Sequence, residues 1–401
     1  MKTGWLVGAG FALTLGAVAR MATAPAVATP PVPAPVAYGD AFLRTSWTVS
    51  VPGATGVHLA PNGKSAAWTD ANGCVRRINT GNGRTVWRTS PLAGVNRVVV
   101  GAGGDVAAFS GLNPERNSVV LLDADTGDKK TRVFAGNGAV WSAAFGSKTV
   151  FAAQTVFVGT GGRIVYAFRA VPSDKPRFLA AGIPDDLAVS ADGSRLAFAT
   201  WSPASVNGCA VAGSGTPWRF PEKPGRRARV SVSANGARVM ALSTRGARGE
   251  SGVVRIHDGA TGKLVGQVML PANATEPTAV FAANGESVAA TYCVRKGDAR
   301  DWRLAYFDAK GRRFFAPMGS ALFKPHIVAV SANGNTLTVQ DGDATFFTLD
   351  RRGNFLSRLR LQPEAAGGKP VRVLDALASD DGKTILLRLR GDKLALLRAG
   401  S

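Results

Sequence analysis

The amino-acid sequence predicts an all-β protein, a single β-propeller that most simply has eight four-stranded blades. Two observations carry this prediction. Eight times along the 401 residues, a short apolar run ends in a tight turn, usually with Gly, and a second apolar run follows. Asn-Gly and Asp-Gly between apolar runs signal β-hairpins, because the tight turn needs positive φ. The turns recur every 41 to 49 residues, a period that accommodates the four short strands of one propeller blade.

One Gly marks each hairpin: Gly63, Gly104, Gly146, Gly193, Gly236, Gly285, Gly334 and Gly382. The third copy is the weakest, since its turn is Gly-Ser-Lys. A helical alternative fits poorly, because the runs are short, rich in Val, Ala, Leu and Thr, and broken by 48 Gly and 22 Pro. A four-stranded sheet cannot bury both of its faces alone, so neighbouring blades must stack radially into a ring.

A second turn follows most markers and sets the order of strands within a blade. Residues 79–87, 123–133 and 257–268 each show Asp, Asn or His-Asp, a turn with Gly, and then a further apolar run. Each blade is therefore interpreted as inner strand a, a hairpin, strand b, a loop, strand c, a turn and outer strand d. In the fifth blade we expect these strands at residues 229–233, 237–243, 253–257 and 264–270.

The two ends of the chain are expected to close the ring. Only two strands, 384–390 and 393–398, follow the last marker, so the last blade lacks its outer strand. The unassigned strand 46–51 precedes the first marker and resembles an outer strand such as residues 86–90. Pairing strand 46–51 with the last blade would complete eight blades, and seven blades is the alternative.

The repeats resemble those of the WD40, YVTN and quinoprotein-like β-propellers, over roughly residues 45–401. The Asn-Thr-Gly turn at 79–81 and the Asp-Thr-Gly turn at 125–127 are most similar to repeats of quinoprotein dehydrogenases and outer-membrane assembly propellers. The Trp that ends such motifs is present at Trp87 but absent from the second, fifth and seventh blades. The Trp-Asp of WD40 repeats and the vicinal Cys pair of many quinoprotein enzymes are also absent. The resemblance therefore implies the fold and no specific subfamily.

The first residues are typical of an export signal. Lys2 precedes an apolar stretch at 5–19 that Arg20 ends, and small-x-small cleavage patterns occur at 17–19 and 26–28. We therefore expect a signal peptide at 1–28, a Pro- and Ala-rich linker at 29–44 and the propeller at 45–401. An uncleaved N-terminal anchor is the alternative. The expected location is the periplasm, the cell surface or the extracellular space.

Cysteine and histidine usage gives no sign of a disulfide framework or a metal site. Cys74, Cys209 and Cys293 are few and scattered, and we expect them to pack as small apolar residues. A single disulfide pair remains open, but the odd count leaves one thiol unpaired. His58, His257 and His326 lie in different blades, and no Cys-x-x-Cys occurs. We expect no cofactor and no metal.

The formal net charge of +21 favours attraction to polyanions such as anionic lipid headgroups, acidic envelope polymers or nucleic acid. In a propeller, the b–c and d–a loops share one face. Basic residues of the fifth and sixth blades are expected to converge there as an anion- or partner-binding sector: Arg226, Arg227, Arg229, Arg245, Arg248, Arg295, Lys296 and Arg300. The alternative is a solvated loop face, since Glu250, Asp298 and Asp301 lie in the same loops.

A second basic set lies in c–d turns on the opposite face or rim, where solvated turns explain it better than binding: Lys129, Lys130, Arg312, Arg313, Arg351 and Arg352. Catalysis finds little support. Gly-x-Ser-x-Gly is absent, and the acid pairs 185–186 and 380–381 are interpreted as turn formers.

The sequence therefore predicts an exported, non-catalytic scaffold that binds a protein or an anionic envelope component through one loop face. A quinoprotein-like propeller enzyme is the alternative, and a lactonase-like activity is a minor variant of it. We expect a monomer, disfavour nucleic acid as a partner and leave peripheral membrane association open.

Overall fold

The computed structural model describes residues 36–38, 43–109, 118–134, 140–146, 149–158, 162–169, 177–181, 184–201, 203–211, 217–245, 250–296, 299–315, 317–320, 325–342, 344–361 and 371–399. The regular elements of this part of the chain are β-strands. Short apolar and β-branched runs between Gly turns favour strands, because each side chain can pack on a pleated, buried surface.

Two strands precede the first hairpin, β1 (Val36–Tyr38) and β2 (Leu43–Ser50). Blades 1 and 2 follow, with β3 (Thr55–Leu59), β4 (Ser65–Thr69), β5 (Val75–Asn79), β6 (Thr85–Arg88), β7 (Arg97–Val100), β8 (Val106–Phe109), β9 (Ser118–Leu122) and β10 (Lys129–Phe134). Blades 3 and 4 contain β11 (Val140–Gly146), β12 (Thr149–Val158), β13 (Gly162–Arg169), β14 (Arg177–Ala181), β15 (Pro184–Val189), β16 (Arg195–Trp201), β17 (Ala204–Ala210) and β18 (Trp218–Pro221).

Blades 5 and 6 contain β19 (Arg226–Val232), β20 (Arg238–Arg245), β21 (Glu250–Asp258), β22 (Leu264–Met269), β23 (Ala274–Phe281), β24 (Ser287–Lys296), β25 (Ala299–Asp308) and β26 (Met318–Ser320). The last two blades contain β27 (His326–Val330), β28 (Thr336–Asp341), β29 (Thr345–Asp350), β30 (Phe355–Arg360), β31 (Val373–Ala378), β32 (Thr384–Leu389) and β33 (Lys393–Ala399).

The described strands form eight antiparallel sheets, seven of four strands and one of five. Seven of the marker Gly residues lie in the turn between the first two strands of their sheets, and Gly146 is the last residue of β11, the first strand of the third sheet. Consecutive sheets touch through their inner strands, and β3 of the first sheet also touches β31 of the last. The predicted β-propeller with four-stranded antiparallel blades is therefore confirmed.

Strand β2 closes the ring as predicted. It pairs with β33 from Leu43↔Ala399 to Ser50↔Lys393, so the second and the last described strands share one sheet. The indole N–H of Trp47 then donates to the carbonyl of Thr80 in blade 1, at 2.7 Å. Strand β1 adds a fifth strand to blade 7, where Val36 pairs with Arg360.

The hydrophobic core lies between blades rather than within one sheet. Blades 5 and 6 share a cluster that includes Met240, Ile256 and Phe307, and blades 8 and 1 share one that includes Trp68 and Leu386. On the a–b turn face, backbone hydrogen bonds join successive turns, such as Ala234 N–H to the carbonyl of Ala283 at 2.7 Å. That face is thus tied together by the folding motif itself.

Aromatic side chains of outer strands lock onto the next blade. The indole N–H of Trp87 donates to Ala124 at 2.9 Å, and that of Trp218 donates to Gly259 at 3.0 Å. In each case the ring covers the c–d turn of the following blade, where Gly127 or Gly262 leaves room for it. Trp47 of β2 makes the same contact with Thr80 and Gly83, so it helps to fix the spacing of blades at three junctions of the described chain.

The three cysteines are buried, and none of them forms a disulfide within the described residues. Cys74 precedes β5, Cys209 lies in β17 and Cys293 lies in β24. They pack as small core residues, as the sequence indicated.

Candidate functional site

The basic sector lies at one end of blades 5 and 6, and the strands there are longer than the sequence indicated. Strand β19 begins at Arg226, so Arg226 and Arg227 belong to the inner strand and not to a d–a loop. Strand β20 continues to Arg245, opposite Arg226. The extended ladder satisfies backbone N–H and C=O groups that a loop would leave to water.

The sequence indicates long b–c loops at 202–207 and 294–301, but paired strands occupy most of both segments. Strand β24 runs to Lys296 and β25 starts at Ala299, with these two residues paired. In blade 4, β16 ends at Trp201 and β17 begins at Ala204, and these two residues are also paired. Consequently, the sector is built on paired strand ends, which hold their side chains on a rigid frame.

The structure brings several sector residues together in pairs. Arg226 lies directly opposite Arg245, and Arg295 lies directly opposite Arg300. Cross-strand partners have Cβ atoms about 5 Å apart, and like charges in that relation destabilise a sheet. Two such arginine pairs occupy the same end of neighbouring blades.

Acidic groups balance part of this charge. Glu276 forms an ion pair with Arg300 at 3.7 Å, and the backbone of Glu250 pairs with that of Arg245. Asp301 instead pairs with Arg303 in the same strand. Exposed ion pairs of this kind contribute little to stability and leave much of the field in place.

The remaining predicted members are distributed as follows. Arg229 is exposed on inner strand β19, and Lys296 is the last residue of β24. Arg226 donates to the carbonyl of Ser243 at 3.5 Å. Arg248 and Asp298 lie outside the described residues. Lys223, in the connection before β19, is exposed beside the sector.

Trp201 joins the sector, although the sequence placed the tryptophans mostly in the core. Its side chain is 43% exposed at the end of β16, and the guanidinium carbon of Arg227 lies 5.2 Å from its ring centre. A cation over an indole face is an attractive contact. The sequence signal for this exposure is the Ser-Pro that follows Trp201, which forces a hairpin tip.

A buried ion pair supports the sector from below. Glu222 follows β18 and pairs with Arg255 of β21, while Ser243 Oγ donates to Glu222 at 2.6 Å. Arg255 in turn lies over the ring of Phe220, at 5.3 Å. The carbonyl of Ser243 also accepts a hydrogen bond from Arg226. The Glu222–Arg255 pair is therefore connected through Ser243 to the strand ends where Arg226 and Arg245 lie opposite each other. Sequence reasoning missed Glu222, since one acid in a short connection has no pattern.

His257 completes this buried layer. Its ring lies 4.6 Å from that of Phe220 and 5.7 Å from that of Trp218. Burial, more than any neighbouring charge, lowers the pKa of His257. The imidazole is therefore held neutral at the junction of blades 4 and 5.

The second basic set on the c–d turns is used by the fold. Lys130 bonds to Asp105 at 2.9 Å and to Asp123 at 3.0 Å, and Arg312 bonds to Asp308 at 2.6 Å. Turn N–H groups and Lys130 lower the pKa of Asp123 to about 2. Contacts of this kind explain much of the set through turn stability, the reading that the sequence favoured.

Arg351 belongs to the same structural group. Its Nε donates to the carbonyl of Gly334 at 2.8 Å, and its guanidinium lies 5.0 Å from the ring centre of Phe314. It therefore ties blade 7 to blade 6.

The two acid pairs have different roles. Asp381 accepts the N–H of Lys383 at 2.9 Å, as a turn former does. The turn-former prediction was wrong for Asp186, which lies in β15 and accepts the N–H of Val230 in the next blade at 2.9 Å. An inner-strand carboxylate can thus satisfy the neighbouring blade's backbone.

In the described ranges, no group of three or more His, Cys, Asp and Glu side chains is placed to hold a metal ion. No helix in that part of the chain is long and apolar enough to cross a membrane.

Comparisons with known proteins show the fold. No protein-family model matches the sequence, and neither does any curated protein. Among solved structures, the computationally designed Ika8 protein matches with a TM-score of 0.59 and 12% identity, covering 88% of this chain and 98% of its own.

Two WD40 domains are similarly close. The C-terminal WD40 domain of Sif2 has a TM-score of 0.58 at 12% identity, over 90% of this chain and 99% of that one. The WD40 domain of SCAP from fission yeast has a TM-score of 0.57 at 10% identity, over 88% and 98%. Hydrazine synthase from Kuenenia stuttgartiensis, an enzyme, has a TM-score of 0.51 at 13% identity, over 89% and 98%. The chain is thus similar to WD40 propellers in architecture.

Proposed function

We propose that this protein is an exported, non-catalytic β-propeller scaffold that binds an anionic partner, either an acidic protein surface or an anionic envelope component. The contact would be made by the loop face of blades 5 and 6. The observation that supports this most is the pair of cross-strand arginine contacts, Arg226 with Arg245 and Arg295 with Arg300.

The sector places like charges directly opposite each other at strand ends. Like charges opposite each other destabilise a sheet, and an anion bound between them would turn that cost into attraction. The second basic set is paired more closely, since Lys130 lies 2.9 Å from Asp105 and Arg312 lies 2.6 Å from Asp308, whereas Arg300 of the sector lies 3.7 Å from Glu276. The buried Glu222–Arg255 pair keeps the sector in place before binding. Preorganisation of this kind lowers the cost of association.

The test compares two variants with equal change in net charge. R245E/R295E/R300E reverses three exposed sector residues, and K64E/K310E/K383E reverses three exposed residues in turns of the opposite face. Each variant should keep the circular dichroism spectrum of the parent. On a resin carrying inorganic polyphosphate, the sector variant should elute at much lower salt, while the control should elute only slightly earlier.

Equal losses of retention in both variants would mean that net charge alone determines binding. The proposal would then fail, because it requires the sector to act as a site.

The quinoprotein-like alternative rests on the resemblance of the Thr-Gly turns. In one of these turns, the ring of Trp87 packs against Gly127, so this turn contributes to the packing between blades. Incubation with pyrroloquinoline quinone and calcium should leave the melting temperature and the visible absorption spectrum unchanged. A raised melting temperature together with a bound chromophore would favour the enzyme instead.

A further inference from the structure

We infer that the anionic partner is a phospholipid bilayer surface and that Trp201 is the residue that inserts between its headgroups. This inference rests on the proposed anion-binding sector and names the class of its ligand. It assigns to Trp201 a binding role that neither the repeat pattern nor the core requires.

The first observation is the position of Trp201. This residue ends β16 just before the hairpin connection, and 43% of its side chain is exposed. Tryptophans on the second or third strands of other blades are core residues, since Trp68 of β4 is 2% exposed and Trp302 of β25 is 6% exposed. An exposed indole on a projecting tip is therefore an exception within this repeat.

The second observation is that basic residues surround Trp201. Arg227 lies over its ring, and Arg226 and Arg245 form the adjacent cross-strand pair. An indole has an apolar body and a polar N–H, and it prefers the boundary between headgroups and acyl chains. Basic residues beside it would contact anionic headgroups, each strengthening binding by about five-fold.

The third observation is the order of the strand ends around the ring. The ends of the second strands of blades 4, 5 and 6 lie at one face and present Trp201, Arg245 and the Arg295–Arg300 pair in that order. A soluble polyanion or an acidic protein would use the charges and gain little from an exposed indole at their edge. A bilayer would use both features at once.

The experiment measures binding of the full chain to two probes. The first is a vesicle of phosphatidylcholine with one-third phosphatidylglycerol, assayed by co-sedimentation. The second is soluble inorganic polyphosphate, assayed by calorimetry. The variant is W201A. The matched control is F355A, which removes another exposed aromatic residue on the outer strand of blade 7.

We expect W201A to bind vesicles about ten-fold more weakly than the parent, because the buried indole area is lost. Its affinity for polyphosphate should be unchanged, and F355A should match the parent on both probes. Vesicles whose acyl chains carry bromine should quench part of the tryptophan fluorescence of the parent. That part should be missing in W201F.

The outcomes separate the two levels of the account. If W201A binds vesicles as the parent does, or the parent binds polyphosphate but not vesicles, the bilayer inference is overturned and the sector remains. If R245E/R295E/R300E binds both probes as the parent does, the sector itself is overturned.

Discussion

The Nδ1 atom of His58 accepts a hydrogen bond from the backbone N–H of Val100, 3.1 Å away across the boundary between blades 1 and 2. The carboxylate of Asp186 makes the same kind of contact with Val230 between blades 4 and 5. Inner strands have an unpaired backbone edge, and polar side chains of the preceding blade satisfy part of it. This contact requires a neutral imidazole, and burial lowers the pKa of His58 to about 4.

His58 should make stability depend on pH. Between its folded pKa of about 4 and its ordinary pKa of 6.5, the unfolded state binds more protons. Stability should therefore be full above pH 6.5 and fall as the pH is lowered toward 4. The shift corresponds to ~3 kcal/mol, and partial solvent contact of the residue reduces this to ~1–2 kcal/mol.

The matched variant is H58N, whose amide oxygen can accept the same hydrogen bond without titrating. Urea unfolding at a series of pH values should show a flatter profile for H58N than for the parent between pH 4 and 6.5. Parallel profiles would show that His58 does not carry this dependence.

The buried pair of Glu222 and Arg255 should be costly to break from one side. E222Q leaves a buried guanidinium without its counter-charge and should lower the free energy of unfolding by ~3–5 kcal/mol. The double variant E222Q/R255M should recover much of the loss. The control is E276Q, at the exposed pair with Arg300, which should cost less than about 1 kcal/mol. Chemical denaturation measures all three, and similar losses for E222Q and E276Q would contradict the account.

Substitutions at three glycines should distinguish the cost of backbone strain from the cost of a steric clash. At Gly127, φ is +75° and a Cβ would lie 2.6 Å from the ring of Trp87. Gly225 has φ of +77° with open space, and Gly103 has open space without positive φ. We expect G103A to be nearly neutral, G225A to cost about 1 kcal/mol and G127A to cost about 3 kcal/mol or more. Equal losses of stability for G127A and G225A in thermal unfolding would show that the packing of Trp87 on Gly127 adds nothing to stability.

The pairing of β2 with β33 closes the ring and should be required for the propeller to unfold in one cooperative transition. Removing residues 1–42 leaves β2, whereas removing residues 1–50 deletes it and exposes the edge of β33. The shorter truncation should melt within a few degrees of the parent in calorimetry. The longer one should melt far lower and over a broader range, because blade 8 loses its outer strand. Identical transitions would show that the ring closes by other means.

The sequence predicted the architecture because the signals for it are local. Asn-Gly and Asp-Gly turns define hairpins on their own, and a period of 41 to 49 residues leaves few arrangements for them. Closure by β2 followed from counting strands. The predicted strand ends were wrong at 226–228 and 294–301. A β-ladder continues as long as the two backbones can pair, and polar residues such as Arg226 do not prevent this pairing.

The candidate site was only partly predictable. The sequence placed Arg245 and Arg300 on the correct face, but the pairing of Arg226 with Arg245 depends on a register that turns do not fix. Trp201 was missed because a Trp at a strand position is usually a core residue. Glu222 was missed because its partner Arg255 lies 33 residues away in another blade.

The central claim is that the sector of blades 5 and 6 is where an anionic ligand binds, and arginine footprinting tests it most directly. The protein is treated with phenylglyoxal with and without inorganic polyphosphate, and modification is read by mass spectrometry. We predict protection of Arg245, Arg295 and Arg300 and unchanged labelling of the exposed Arg84 and Arg352 in turns of the opposite face. Equal protection of both groups, or protection confined to the turns, would contradict the account.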